Sequence, residues 1–151
     1  MRAITYLCTF LITLASCNCQ KKVVDSSSIA QKQSSTMKLV YEAYSRGFYK
    51  KVTIENKEVF VLNDRNAKES ESGIKISDSD WNELTTYFNE VKLDDIATLK
   101  DPTQKRFYDG APIANLKLYA NGKGYKTTDF DHGFPPVAIE KLVNKINLFA
   151  K

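Results

Sequence analysis

The sequence predicts an α+β domain: an antiparallel sheet of about five to six strands with two helices packed on one face. Three observations carry this. Apolar and polar residues alternate over residues 39–62 and again over 112–130, as in half-buried strands. Two later stretches, 81–91 and 139–149, repeat apolar residues every three to four positions, the period of an amphipathic helix. Between the alternating runs stand turn-forming pairs, Asn56-Lys57 and Asn121-Gly122. Each half runs strands and then helix, without sequence identity between the halves, so the repetition is architectural.

Taken in order, Leu39, Tyr41 and Ala43 define one face of a first strand, with Val40, Tyr44 and Arg46 opposite and a bend at Gly47. A second strand follows over 49–55, with Val52 and Ile54 on one face, and a third returns over 59–62. Residues 64–72 are polar and predict a loop, and 73–76 a short strand. Ser77-x-x-Asp80 has the form of a capping box that opens the first helix, whose apolar stripe is Trp81, Leu84, Phe88 and Val91. In the second half, 112–120 and 124–130 predict a hairpin around Asn121-Gly122. Pro135-Pro136 then opens a helix with the stripe Ile139, Leu142, Val143, Ile146 and Phe149. Such stripes are the core-facing sides of their helices.

The first 16 residues read as an export signal. Met1-Arg2 is followed by an apolar core over residues 3–14, a length within the 7–15 residues of a signal h-region. About 20 apolar residues would be needed to span a bilayer, and the chain turns polar by Asn18 and Gln20. The core ends in Leu14-Ala15-Ser16-Cys17, with no Ala-x-Ala site for plain secretion. That tetrad resembles the lipobox of bacterial lipoproteins. The resemblance implies cleavage before Cys17, a diacylglycerol thioether on its sulfur, and acylation of the new amino terminus. A thiolate is the side-chain nucleophile suited to that bond, and two or three acyl chains hold a protein on a membrane where one chain binds reversibly. The expectation is a protein of the cell envelope, lipid-anchored to a bacterial membrane outside the cytoplasm.

With Cys8 removed and Cys17 lipidated, Cys19 is the remaining thiol, so no intramolecular disulfide is expected. Its place two residues from the anchor suits an idle thiol or a second acylation point. Residues 17–36, rich in Ser, Gln and Lys, read as a flexible tether holding residues 37–151 about 25 Å from the membrane. Those 115 residues suffice for one domain. From Met37 onward 18 basic residues stand against 17 acidic ones, so the basic excess lies in the tether, where lysines favour anionic headgroups. Lysines interleaved with Asp and Glu exclude a nucleic-acid partner, which needs a clustered basic face.

Three constellations remain. Asp129-Phe130-Asp131-His132-Gly133 holds the single histidine; Asp129, Asp131 and His132, with Asp109 from the Tyr108-Asp109-Gly110 turn, are candidate metal ligands. The competing reading is that these acids bond loop amides and a helix N-terminus, because one histidine cannot build a usual zinc site. A search for a nucleophile finds no Gly-x-Ser-x-Gly elbow and no phosphate loop; Asp94-Asp95 reads as a solvated pair on a short helix or loop. No cofactor is expected. Aromatic residues near the turns, Tyr44, Phe48, Tyr49 and Phe134, could together bind a protein, peptide or glycan, with Phe107, Tyr108 and Phe130 beside other turns. The run from Arg106 to Ala111 and the run from Phe130 to Pro136 resemble segments of small exported lipoproteins of unknown function. The favoured expectation is a non-enzymatic binding or envelope-interaction module. Its rival is a small metal-dependent or hydrolytic protein centred on Asp129, Asp131 and His132.

Overall fold

The alternation after Met37 builds β1 (Lys38–Ser45), which takes the centre of an antiparallel sheet and pairs with a neighbour on each side. A computed structural model describes residues 37–68 and 73–150. The expected signal segment and tether, with Cys17 and Cys19, as well as residues 69–72 and Lys151, lie outside the described residues. β2 (Phe48–Glu55) returns beside β1 through Arg46-Gly47, where Gly47 adopts φ 92°, a conformation a Cβ would disfavour. β3 (Glu58–Leu62) follows Asn56-Lys57, both at positive φ (53° and 63°), as a type I′ hairpin turn requires. β4 (Ile74–Lys75) closes that edge.

On the other side β5 (Ile113–Ala120) pairs with β1, and Asn121-Gly122 turns the chain into β6 (Lys123–Lys126). The order is β4-β3-β2-β1-β5-β6, and β7 (Phe130–Asp131) joins β5 along the edge that β6 has left. Among the described residues, seven strands and two α-helices, α1 (Asp78–Glu90) and α2 (Glu140–Leu148), make the predicted α+β class. Leu39, Tyr41 and Ala43 meet Val52, Ile54, Leu116 and Leu118 on one face of the sheet, all fully buried. Trp81, Leu84 and Phe88 of α1 and Leu142, Val143 and Ile146 of α2 complete that core. The two predicted stripes therefore bury as one layer.

Ser77 caps α1: its Oγ accepts from the Asp80 N–H at 3.1 Å and donates to Asp80 Oδ2 at 2.6 Å. Asp80 and Glu83 also accept from Lys145 Nζ of α2, at 2.7 and 2.5 Å, tying the helices together. Among the described residues no helix is long and apolar enough to cross a membrane.

Two details depart from the pattern read in the sequence. The return strand expected over 124–130 is broken into β6 and β7, because Lys117 pairs with Lys126 while Ala114 pairs with Phe130. Two residues of β5 thus face three of the return chain, which is a bulge. Thr127 fills it: its N–H donates to the Leu116 carbonyl and its Oγ1 accepts from the Leu116 N–H, both at 3.0 Å. The final helix is preceded by a 3₁₀ turn at Val137–Ile139, so Pro135-Pro136 opens that turn and α2 starts at Glu140. Two further 3₁₀ turns occupy Leu93–Thr98, which contains Asp94-Asp95, and Lys105–Tyr108.

Candidate functional site

Topology sends three connections to one end of the sheet. Tyr44 at the end of β1 pairs with Tyr49 near the start of β2 and with Ile113 at the start of β5. β3 ends alongside, its Leu62 opposite Lys51. The β1–β2 turn, the loop after β3 and the 3₁₀ turn before β5 therefore gather around one cleft of about 420 Å³, within the range of ligand pockets. Tyr44, Ser45, Arg46, Arg65, Arg106 and Asp109 line it, with Ala111 and Ile113 at its base.

Each charged group is placed by its own segment. Arg46 occupies the two-residue turn and makes no side-chain bond among the described residues. Arg65 sits in a turn that Asp64 shapes: Asp64 Oδ1 accepts from the Asn66 N–H at 2.9 Å, so that carboxylate braces backbone instead of pairing with Arg65. The Arg65 guanidinium lies over the rings of Tyr44 and Tyr49, 5.5 and 5.4 Å from their centroids. Asp109 ends the 3₁₀ turn at φ 57°, and its N–H bonds the Lys105 carbonyl. Its carboxylate has no partner among the described residues.

Arg106 is held by Asp131. That carboxylate is fully buried and accepts from four donors: Thr103 Oγ1 at 2.5 Å, the Lys105 N–H at 2.5 Å, the Arg106 N–H at 3.1 Å and Arg106 Nη1 at 3.0 Å. Burial pushes its pKa up, but the hydrogen bonds from Thr103, Arg106 and Lys105 together outweigh that and hold it down to about 2. Asp101 Oδ2 takes the same Nη1 at 2.6 Å. Asp131 thus caps the 3₁₀ turn and fixes the arginine that projects from it.

His132 turns the other way. Its Nδ1 lies 2.7 Å from the Tyr41 hydroxyl, and its ring packs 5.3 Å from Phe48. Burial pushes Tyr41 up to about 12, so its hydroxyl stays protonated, and the tautomer of the imidazole sets which of the two groups donates. Burial and, secondarily, Lys50 hold His132 below its ordinary pKa. Asp129 is exposed, and Asp109 stands at the cleft. The four candidate ligands therefore do not converge: among the described residues no three His, Cys, Asp or Glu side chains are placed to hold a metal ion.

No protein-family model, no curated protein and no solved structure matches this chain. The site is read from its own chemistry. Of the aromatic candidates, Tyr44 and Tyr49 stand side by side on the sheet face away from the helices, under Arg65. Phe48 points to the helix-covered face against His132. Phe134 is partly exposed elsewhere, with Lys105 Nζ 3.8 Å above its ring. The arginines are what motif reading missed. Arg46, Arg65 and Arg106 are all the arginines beyond Arg2, in a chain that otherwise uses lysine, and all three line one cleft. Their scarcity is the signal that sequence offers, since arginine and lysine are not interchangeable at a recognition site.

Proposed function

We propose that the chain is an exported lipoprotein, anchored through Cys17 to a bacterial membrane outside the cytoplasm, and that it acts as a non-enzymatic binding module of the cell envelope. The arginine cleft is its binding surface. The observation that carries this reading is that Arg46, Arg65 and Asp109 line one cleft without ion pairs to one another. Charged side chains brought together by three separate connections, and unpaired among the described residues, are available to a ligand. The reading of the anchor is supported by the Leu14-Ala15-Ser16-Cys17 tetrad after its apolar core.

Two experiments test it. A Cys17→Ala chain should fail to incorporate labelled palmitate and should leave the membrane fraction; palmitate uptake by that variant would refute the anchor. A photoreactive residue in place of Ser45, in the cleft, should yield a discrete adduct in intact cells that is lost with Arg65→Gln. Equal labelling from position 140, on the helix side, would remove the cleft as the binding surface.

A further inference from the structure

We infer that the cleft takes a ligand bearing a carboxylate, with a hydroxyl or ammonium donor on the same molecule. This rests on the cleft being the binding surface and names what it recognises.

The geometry of the cleft carries this. Arg106 is already compensated by Asp101 and Asp131, both bonded through Nη1. The three arginines of the cleft are matched in number by Asp101, Asp109 and Asp131, so recognition rests on the placement of Arg46 and Arg65, which have no acidic partner among the described residues. The Arg65 guanidinium lies over two tyrosine rings, which restrict it, and its N–H groups have no acceptor among the described residues. A guanidinium held in this way is preorganised for two parallel bonds to a carboxylate. An ionised Asp109 accepts hydrogen bonds, so a donor on the ligand can pair with it. Its left-handed backbone, fixed by the N–H to Lys105 bond, holds it at the cleft instead of folding it onto Arg106. An acid with neighbouring hydroxyls, such as a uronic acid, and an acid with an ammonium, such as an amino acid or short peptide, share this chemistry.

The test is calorimetric titration of the full chain in detergent micelles with glucuronate, its methyl ester, trialanine, trialanine amide and inorganic phosphate. At least one free acid should bind saturably, and its ester or amide should bind about tenfold more weakly or worse. Arg65→Gln and Arg46→Gln should each cost a similar factor, and Arg65→Lys should not restore it because it lacks the fork. Both arginines are exposed, so unchanged circular dichroism is expected of these variants. Glucuronate alone binding assigns a saccharide acid, and trialanine alone binding assigns an amino acid or peptide. Failure of both acids, equal binding of the ester or the amide, or tighter binding of phosphate overturns the inference. The outcomes separate from those of the binding-module reading. A Ser45 adduct that neither acid displaces leaves that reading standing and this ligand class wrong; acid binding with no adduct in cells does the reverse.

Discussion

Asp131 and His132 are neighbours that share no task. Consecutive residues of an extended segment point to opposite sides, so the carboxylate of β7 reaches the 3₁₀ turn while the imidazole reaches Tyr41 and Phe48. In the sequence the pair suggested ligands in one turn, because the expected return strand stopped at Phe130, one residue short of Asp131. The loop-amide reading comes nearer the geometry, but the amides capped are those of Lys105 and Arg106, some 25 residues upstream, not those of the following helix. Asp131 is therefore a positioning residue for the arginine cleft. Asp131→Ala leaves a mostly buried guanidinium with Asp101 as its one carboxylate and orphans two backbone donors. Breaking a buried pair in this way costs about 3–5 kcal/mol, to be read as a shift in urea unfolding. A loss below about 1 kcal/mol would mean that solvent substitutes for the carboxylate.

At the level of elements, hairpins and helix starts were legible because each is specified by a few contiguous residues. Asn56-Lys57 and Asn121 take the positive φ that their turns demand, and Ser77 caps as its spacing implies. The break between β6 and β7 was not legible. The alternation continues through residues 124–130, and the bulge depends on a side chain standing in for backbone, Thr127 Oγ1 accepting from Leu116 N–H. Leu116 lies in the middle of β5 with its backbone buried, so that donor needs its acceptor. Thr127→Val keeps the shape and removes the acceptor. It should destabilise the domain by about 1–3 kcal/mol, and hydrogen exchange at the Leu116 amide should accelerate; Thr127→Ser should restore both. An unchanged exchange rate in the valine variant would show that the bulge does not depend on this bond.

For the whole molecule, the sheet order decides what meets at the cleft, and sheet order is a non-local property that short spacings in the sequence do not encode. The same assembly sets the response to acid. His132 has a folded pKa below its ordinary 6.5, so between that value and its folded pKa the unfolded chain binds more protons, and stability falls as pH drops through this window. Asp131 is lowered from 3.8 to about 2; its contribution is complete above the upper value and is lost as pH falls toward the lower. Both effects have the same sign, so acid weakens the fold in two separate steps. Urea midpoints measured from pH 7 downward should fall first below about 6.5 and again below about 4. His132→Gln should flatten the first slope and leave the second, whereas Asp131→Asn should flatten the second and leave the first. Slopes, not absolute midpoints, are compared because each substitution also changes packing. If both variants kept both slopes, the acid response would lie with other carboxylates, such as Asp80 and Glu83, whose bonds to Lys145 also lower their pKa values.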